Sequence, residues 1–513
     1  MKRDGATTSL WQHNLPDYQP QNSTLPTDVV DVLIVGGGIT GITTALLLQQ
    51  GGLRCVVAEA QTLCFGTTGG TTSHINSFFD TDYHTIRQDF GVEGAQTVAR
   101  ATRQAIELFA HHVKTYNIDC EFSERDAYVY AQTDEQVSQL NKMMEASLEA
   151  GAYVAYADSI PIPTDFQKAI VYPRNAQIHP TKYVFALAKE FEALGGVILQ
   201  NCTVGHVGGD ELMLEAETSM GVIKAKYLVY ATHIPPGGIN LLHFRAHPYR
   251  SYAMAVTLNN ESQYPESLAY NMYDPYYYYR TQETDGRRYL IVGGEDHKTA
   301  HEENTEACFD RLEAHVRRHY DVKEIAFKWS SQYFEPSDGL AYIGLNPGTH
   351  DNILVAAGYS GNGITYSHIA AITLSQMILQ KQSEYATLFN PRRVKPIAGF
   401  TEFVKENVDV VKEFFSKRFS QEEIAVLADL APGEAKVVKF EGESIALYKD
   451  EAGKLHAVDP ICPHAKCAVG WNRAEKSWDC PCHGSRFSPD GQLLTGPARK
   501  GLEPIDLAKL MES

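Results

Sequence analysis

Near the carboxyl end of the chain, two short motifs each combine one cysteine with one histidine, and this feature constrains the fold most. Cys462 and His464 form a Cys-x-His pair, and Cys480 and His483 form a Cys-x-x-His pair. One thiolate and one imidazole from each pair suit a [2Fe–2S] cluster with two cysteines on one iron and two histidines on the other. A structural zinc site also takes two Cys and two His, but it usually pairs like with like. The mixed pairs therefore favour the iron–sulfur cluster, with these four side chains as ligands.

The same stretch resembles a Rieske iron–sulfur domain. Cys467 and Cys482 stand where respiratory Rieske proteins place a disulfide, and Ser485 stands where that family has a hydroxyl bonded to a bridging sulfide. The segment 496–498, Gly-Pro-Ala, resembles the proline loop that covers the cluster. High-potential members carry Tyr two residues after the Ser, where this chain has Phe487. Phe lacks the hydroxyl that would donate a hydrogen bond to a ligand sulfur. Its absence predicts a lower reduction potential for the cluster, within the range of about −150 to +300 mV known for such centres.

A second motif lies near the amino end. The apolar run 31–35 predicts a buried strand, followed at once by Gly36-Gly37-Gly38-Ile39-Thr40-Gly41, a helical stretch and a second strand ending before Glu59. This G-x-G-x-x-G has the full context of a dinucleotide-binding turn, in which the helix N-terminus faces the pyrophosphate and the acidic residue accepts bonds from ribose hydroxyls. The residues expected to contact the dinucleotide here are Gly36, Gly38, Ile39, Thr40, Gly41, Glu59 and Ala60.

Three further segments make FAD the expected dinucleotide, because they resemble the D-amino-acid-oxidase-like flavoproteins, which include the glycine oxidases. Small residues at 66–73 stand where that family runs a loop beside the flavin. The strand 227–232 resembles the family's Ala-Thr-Gly strand, although His233 replaces the glycine. The strand 352–357 and the turn 358–364 resemble its flavin-binding turn and helix. The resemblance adds as FAD-binding residues Thr67, Thr68, Val204, Ala231, Thr232, Gly361, Asn362, Gly363 and Ile364.

These resemblances imply an α/β FAD-binding Rossmann-type domain with an α+β substrate-side insertion, followed by an all-β Rieske domain. The expected bounds are an oxidoreductase domain at 1–395, a helical linker at 396–425 and the Rieske domain at 426–513. Within the first domain, FAD-binding segments are expected at about 29–84, 151–244 and 336–390, and insertions at about 85–150 and 245–335. The first insertion reads as largely helical and the second as a sheet, and the polar segment 1–28 is expected to lie on the surface.

Candidates for the chemistry of the substrate come from the second insertion. The run Tyr276–Tyr279 is dense in aromatic rings, and at strand spacing either Tyr276 and Tyr278 or Tyr277 and Tyr279 should face inward. Tyr278 and Arg280, with His247, are candidate catalytic or substrate-binding residues, and ordinary strand packing is the alternative. Two residues near the predicted flavin, His74 and Cys64, are candidates for a covalent link to FAD.

The composition of the chain limits the kinds of partner that it can bind. The 513 residues are 43% hydrophobic and 21% charged, with a formal net charge of −18. This charge argues against nucleic acid or an anionic membrane surface as a partner, and no apolar run is long enough to span a bilayer. The amino end shows no apolar signal-peptide core, and the cysteines outside the cluster motif are scattered rather than arranged as a disulfide framework. A cytoplasmic location without stable membrane association is expected.

Together the two ends predict one redox circuit. A small amine or amino acid would give a hydride to FAD, and the electrons would leave one at a time through the Rieske cluster to an external acceptor, either a protein or a quinone. Two alternatives stay open. Electrons could run from the cluster to the flavin for a reductive or oxygen-using reaction, or the chain could be a redox-sensing binding module. A single dinucleotide fingerprint disfavours an NAD(P)H-driven reductase.

Overall fold

The computed structural model describes residues 1–272, 275–393, 430–440 and 443–507. The linker helix predicted within 396–425 lies outside the described residues. Helices in the described part of the chain are α1 (Ile39–Gln50), α2 (Thr67–Gly70), α3 (Tyr83–Thr115), α4 (Asp134–Glu149), α5 (Pro180–Ala193), α6 (Thr305–His319) and α7 (Gly363–Leu379). None of these helices is both long and apolar enough to cross a membrane.

Strands run through both halves of the chain. The first part contains β1 (Val30–Val35), β2 (Cys55–Ala58), β3 (His74–Ile75), β4 (Ser123–Ala131), β5 (Ala155–Ala157), β6 (Lys168–Gln177), β7 (Val197–Leu199), β8 (Val204–Gly209), β9 (Leu214–Thr218), β10 (Gly221–Tyr230), β11 (Ala246–Leu258), β12 (Leu268–Tyr270), β13 (Tyr278–Thr284), β14 (Arg287–Lys298), β15 (Val322–Pro336), β16 (Tyr342–Leu345) and β17 (Ile353–Ala357). The last part contains β18 (Ala435–Phe440), β19 (Glu443–Lys449), β20 (Leu455–Val458), β21 (Gly470–Asn472), β22 (Ser477–Asp479), β23 (Arg486–Phe487) and β24 (Leu493–Thr495).

The first sheet is the expected dinucleotide-binding layer. Its strands lie in the order β16-β17-β10-β1-β2-β7, with β17, β10, β1, β2 and β7 parallel and β9 and β8 added at the start of β10. Val32 and Ile34 pack into the core that includes α1, α5 and α7, whereas Leu33 and Val35 pack on the opposite face. Burial on both faces explains why β1 is a continuous apolar run. The carboxyl ends of these strands form the edge where a dinucleotide binds.

The second sheet is larger than the sequence predicted. It has nine strands, with the path β15-β11-β14-β13-β12-β4-β6-β3 and β5 paired to β6. The second insertion forms strands, as expected, from β11 to β15, and α6 lies between β14 and β15. The first insertion, expected to be largely helical, contains α3 and α4 and also contributes β4, which pairs in parallel with β12 and antiparallel with β6. The start of β4, Ser-Glu-Arg-Asp, is polar and charged, so hydrophobic periodicity does not predict this strand. Both of its partners, β6 and β12, come later in the chain.

The last part of the chain is all β, as expected. One sheet contains β18-β19-β20 and another contains β21-β22-β23-β24. Trp478 and Phe487 are fully buried in a core shared with Cys462, Cys480 and Cys482. The loops that carry the cysteines and histidines therefore rest on a small aromatic core.

Part of the amino-terminal segment, which was expected on the surface, is instead buried: Arg3, Asp4 and residues 9–12 are buried, whereas residues 13–28 are exposed or partly exposed apart from Tyr18. The indole of Trp11 is fully buried and its Nε1–H donates to the carbonyl oxygen of Thr71. Arg486 donates to Asp4 at 2.8 Å, and Arg3 donates to Glu475 at 3.1 Å. Three cations and three anions form this buried network, so that their formal charges cancel: Arg3, Asp4, Arg250, Glu475, Asp479 and Arg486.

Candidate functional site

A cavity of about 360 Å³ lies at the carboxyl edge of the first sheet. It extends from the glycine turn after β1 to the tyrosines of the second sheet. A cavity lined along this whole path suits an extended dinucleotide. Its lining also includes Thr495, Gly496 and Ala498 from the carboxyl-terminal part. Both parts of the chain therefore enclose one space.

The glycine turn has no room for side chains. Gly36 has φ of +113°, and a Cβ there would lie 2.5 Å from the carbonyl oxygen of Ala231. A Cβ on Gly41 would lie 1.9 Å from the carbonyl oxygen of Gly36, so Gly41 serves the close packing of helix on strand rather than lining the cavity. Gly38, Ile39 and Thr40 do line it. This arrangement fits a pyrophosphate placed at the amino end of α1.

Glu59 links the glycine turn to the ribose end of the cavity. Its carboxylate accepts from the N–H of Gly37 at 2.6 Å and from the N–H of Gln61 at 2.8 Å. Burial raises the pKa of Glu59, whereas the hydrogen bonds from these backbone N–H groups lower it. The other predicted FAD-binding residues that line the same cavity are Ile39, Thr40, Ala60, Thr67, Thr68, Val204, Ala231, Thr232, Gly361, Asn362, Gly363 and Ile364.

Asp80 faces the cavity beside the turn that precedes α7. Its carboxylate accepts from the N–H of Gly361 at 2.8 Å, and its own N–H donates to the side-chain oxygen of Asn362 at 2.8 Å. The side chain is accessible because it borders the cavity, although protein surrounds it on its other sides. Burial raises the pKa of Asp80 to about 6, against the hydrogen bonds from Gly361 and Asn362. The other groups around it include Tyr270, Tyr276, Tyr278, Tyr333, Tyr366 and, across the cavity, Asp296.

The register of β13 decides which tyrosines reach the cavity. Tyr276 and Tyr278 line it, and their ring centroids lie 5.7 Å apart. Tyr277 and Tyr279 point the other way, into a core where the ring of Tyr277 stacks on His315 with centroids 3.6 Å apart. The hydroxyl of Tyr278, a candidate catalytic residue, bonds Ser251 at 2.9 Å.

Two other catalytic candidates lie away from the cavity. Arg280 is fully buried, and its guanidinium donates to the carbonyl oxygens of Thr72 and Ser73, at 3.0 and 2.6 Å. These hydrogen bonds stabilise the small-residue loop at 66–73. Arg280 is not among the described residues that line the cavity. His247 is buried and its Nε2 lies 3.1 Å from the hydroxyl of Ser337.

The two candidates for a covalent link do line the cavity. The Nδ1 of His74 lies 2.7 Å from the hydroxyl of Tyr270, which in turn donates to Asn76 at 2.7 Å. Burial raises the pKa of the Cys64 thiol well above its usual value, so the thiol is protonated at neutral pH. Covalent attachment of FAD stays a prediction.

The predicted cluster ligands converge in the carboxyl-terminal part. The thiols of Cys462 and Cys480 are in contact, and the ring centroids of His464 and His483 lie 4.9 Å apart. Cys467 and Cys482 are joined in a disulfide with Cα atoms 6.4 Å apart, so their sulfur atoms, though close to Cys480, are not free thiolates. The expected disulfide is confirmed.

The chemistry of these side chains fits a [2Fe–2S] cluster. The Nδ1 atoms of His464 and His483 are buried and make no hydrogen bond within the described part of the chain, as expected of atoms that would bind metal. Burial lowers the pKa of both imidazoles, to about 4 and about 3, so both rings are neutral ligands at pH 7. Ser485 accepts the N–H of Ala498 at 2.9 Å and lies against Cys462.

The cluster loops face the flavoprotein part rather than bulk water. His243, which precedes β11, lies with its ring centroid 4.7 Å from that of His464. Gln332 of β15 lines the cavity, and its amide donates to the carbonyl oxygen of Gly484 at 2.8 Å. The carbonyl oxygen of Gln332 in turn accepts from the hydroxyl of Thr67 at 3.1 Å. One residue therefore touches both the predicted flavin loop and the loop of the cluster ligands.

The sequence did not single out three residues at this site. His243 and Gln332 carry no motif, because each is placed by packing between parts of the chain far apart in sequence. Asp80 had a weak signal, as an acidic residue directly after the apolar pair Phe78-Phe79 and close to the small-residue loop.

Comparison with known proteins identifies both parts. Residues 31–377 match the FAD dependent oxidoreductase family, and residues 421–506 match the Rieske [2Fe-2S] domain. YhfW of Bacillus subtilis (strain 168), whose name describes a Rieske 2Fe-2S iron-sulfur protein, is 33% identical over 479 residues, 93% of each chain. The gamma-glutamylputrescine oxidoreductase of Escherichia coli (strain K12) is 22% identical over 391 residues, 72% of this chain and 89% of that one.

A solved structure shares the fold of the first part. The glycine oxidase of Geobacillus kaustophilus superposes with a TM-score of 0.60 at 18% identity, over 72% of this chain and 100% of that one. The chain therefore belongs to the FAD dependent oxidoreductase family, and it carries a Rieske [2Fe-2S] domain after its flavoprotein domain.

Proposed function

We propose that this oxidoreductase oxidises a small amine or amino acid at its FAD and releases the electrons one at a time through its own Rieske cluster to an external acceptor. FAD supplies a two-electron acceptor for a hydride, and the cluster supplies a one-electron carrier. Each substrate molecule would therefore reduce two equivalents of a one-electron acceptor. A relative named for gamma-glutamylputrescine and structural neighbours named for glycine support the substrate class.

One observation carries the proposed route: residues of both domains line the same cavity. Gly496 and Ala498 belong to the loop expected to cover the cluster, and they line the space that Gly38 and Thr67 also line. Gln332 adds a hydrogen-bonded connection between the flavin loop and the loop after His483. Such contact supports transfer within one molecule, without a diffusing partner between flavin and cluster.

The chain's own residues then have three tasks. The glycine turn and Glu59 hold the dinucleotide, and the tyrosines of β12 and β13 close the substrate end against water. Phe334 packs against Gly484, where a Cβ would lie 3.0 Å from its ring, and so fixes the ligand loop on β15. Positioning of this kind does much of the work in a hydride transfer, because the donor must meet the acceptor at close range.

Rapid mixing under anaerobic conditions tests the proposal. The oxidised holoenzyme is mixed with a panel of amines and amino acids while flavin absorbance and the circular dichroism of the cluster are followed together. We expect flavin bleaching first and cluster reduction second. A Cys462→Ser variant, without the intact cluster, should keep the first phase and lose the second.

Other outcomes would contradict the proposal in distinct ways. Flavin reduction only after addition of a reduced ferredoxin, with no reaction toward any member of the panel, would favour the opposite direction of flow. Rapid bleaching by NADH would make the chain a nicotinamide-driven reductase. Reduction by none of these donors would favour a redox-sensing role. The cytoplasmic location, the nature of the acceptor and the domain bounds at 395 and 426 stay predictions.

A further inference from the structure

The backbone makes a strained turn beside the cavity, just after the carboxyl end of β10. The N–H of Ile234 donates to the carbonyl oxygen of Thr232 at 2.8 Å, which closes a three-residue γ-turn centred on His233. His233 has φ of +71°, a conformation that favours glycine and that costs free energy for any residue with a large side chain. A strained residue that packing holds in place is a candidate for a functional role, and the surroundings of its ring indicate which role.

The ring of His233 contacts the small-residue loop at 66–73, and the residue lines the cavity. Burial lowers the pKa of His233 to about 4, so the ring is neutral at pH 7. Its Nδ1 lies 3.3 Å from the hydroxyl of Thr67, and that hydroxyl donates its hydrogen to the carbonyl oxygen of Gln332 at 3.1 Å. Because a hydroxyl has only one hydrogen, the Nδ1 of His233 donates to Thr67 and its Nε2 carries no proton.

The same ring contacts an aromatic residue of β15. The rings of His233 and Phe334 meet edge to face at 86°, with centroids 4.7 Å apart. Phe334 is buried, and its carbonyl oxygen accepts from the N–H of Ser360, in the turn before α7, at 2.9 Å. A Cβ on Gly484 would lie 3.0 Å from the Cζ of Phe334, so this ring also packs on the residue that follows the ligand His483. Two aromatic rings in contact therefore connect the cavity to the loop of a cluster ligand.

A hydrogen-bonded connection runs beside the aromatic one. From His233 it passes through the hydroxyl of Thr67 to the carbonyl oxygen of Gln332. The side-chain amide of Gln332 then donates to the carbonyl oxygen of Gly484 at 2.8 Å. Both connections to the ligand loop therefore include His233.

We infer that His233 is a positioning residue for electron transfer between FAD and the cluster, whose ring fixes the small-residue loop against β15 and the ligand loop. The inference deepens the proposed function and rests on it for the passage of electrons within one molecule. In the transfer, one electron leaves the reduced flavin and enters the oxidised cluster. No bond or proton changes place at His233.

A gap at this place would weaken the transfer. Electron tunnelling falls steeply with distance, and it falls faster across empty space than through packed atoms. Glycine would relieve the strained turn, but it would remove the ring that fills the space between Thr67 and Phe334. A misplacement of about 1 Å can already cost about a hundredfold in a reaction that depends on position. The rate of electron transfer should therefore depend on the ring more strongly than the binding of either cofactor does.

Pulsed reduction tests the inference without substrate. A light-generated radical of 5-deazariboflavin delivers one electron to the oxidised holoenzyme, and redistribution of that electron between the two centres is followed by flavin absorbance and by the circular dichroism of the cluster. We expect His233→Gly to slow the redistribution at least about tenfold, with FAD content, cluster signal and both midpoint potentials unchanged. Asp285→Gly is the matched control, because Asp285 also has a positive φ, of +52°, in the exposed turn between β13 and β14. It should leave the rate unchanged.

Phe334→Leu tests the same contact from its other side. It should also slow the redistribution, and the double variant should be no slower than the slower single variant, because both changes break one contact. Hydrogen exchange gives a readout that involves no electron transfer. The N–H groups of residues 64–72 and of residues 480–487 should both exchange faster in His233→Gly, and neither set should change in Asp285→Gly.

An unchanged rate in His233→Gly would overturn the inference and assign the transfer to another contact between the domains, at Gly496 and Ala498, which also line the cavity. Loss of FAD or of the cluster in that variant, or a shift of the midpoint potentials that accounts for the slower rate, would overturn it too. No redistribution in the unchanged holoenzyme would overturn both the inference and the proposed passage of electrons within one molecule. Slower redistribution in His233→Gly, with no amine or amino acid able to bleach the flavin, would overturn only the proposed oxidation and leave the role of His233 standing.

Discussion

The buried network between the amino-terminal segment and the Rieske domain makes a strong prediction about Glu475. Its carboxylate accepts from the N–H and the hydroxyl of Ser330, at 2.9 and 2.7 Å, and from Arg3 at 3.1 Å. Burial alone would raise the pKa of Glu475, but Arg3, Arg250 and Arg486 together hold it below its usual value. The carboxylate is therefore ionised and its removal leaves buried cations with too little negative charge.

Glu475→Ala should destabilise the docked Rieske domain by about 3 kcal/mol, near the lower end of the roughly 3–5 kcal/mol typical of a broken buried pair. The lower end is expected because Arg3 keeps its contact with Asp4 at 3.4 Å and with the carbonyl oxygen of Ser330. The matched control is Glu451→Ala, whose partner Lys476 is half exposed and lies on the same domain. That exposed pair should contribute less than about 1 kcal/mol.

The measurement is unfolding of the holoenzyme in urea, with the circular dichroism of the cluster as the probe. Arg3→Ala and the double variant complete a cycle, and a coupling energy of about 0.5–3 kcal/mol is expected for side chains in contact. Equal losses for Glu475→Ala and Glu451→Ala would refute the reasoning. The reasoning would also be refuted if the stability loss of the double variant equalled the sum of the losses in Arg3→Ala and Glu475→Ala, because the two side chains would then not be interacting.

Three further perturbations test other parts of the site. Phe487→Tyr should raise the reduction potential of the cluster by up to about 65–130 mV, since a hydrogen bond to a charged group contributes roughly 1.5–3 kcal/mol and the cluster takes up one electron. A potentiometric titration showing no rise would contradict the role given to Phe487. Gly41→Ala should abolish tight FAD binding because its Cβ would lie 1.9 Å from the carbonyl oxygen of Gly36, whereas Gly238→Ala, where a Cβ meets nothing within 4 Å, should leave the FAD-to-protein absorbance ratio unchanged. Because burial raises the pKa of Asp80 to about 6, its negative charge is present above that pH and lost below it. The absorbance spectrum of the oxidised flavin should therefore change between about pH 7.5 and about pH 5, and an equal change in the Asp80→Asn variant would assign the dependence to another group.

The sequence alone determined the parts of this protein that depend on short stretches of chain. The spacing of Cys462, His464, Cys480 and His483 predicts four ligands on two adjacent loops. Within the glycine turn after β1, a Cβ on Gly41 would meet the carbonyl oxygen of Gly36, an atom of the same short motif. Both motifs carry their chemistry in local backbone geometry, and so the two cofactors and the fold class followed from them.

Tertiary structure decided everything that depends on register or on contact between distant segments. The pairing of β13 with β12 and β14 placed Tyr276 and Tyr278 in the cavity and turned Tyr277 and Tyr279 away, a choice that strand periodicity leaves open. The strand β4 and the buried position of the amino-terminal segment likewise depend on partners far along the chain. Arg280 was a candidate by composition, yet its N–H groups are taken by loop carbonyl oxygens, while Asp80, which no motif marked, faces the cavity. The lining of the cavity is therefore a property of the folded packing, because it depends on which side chains the packing leaves facing that space.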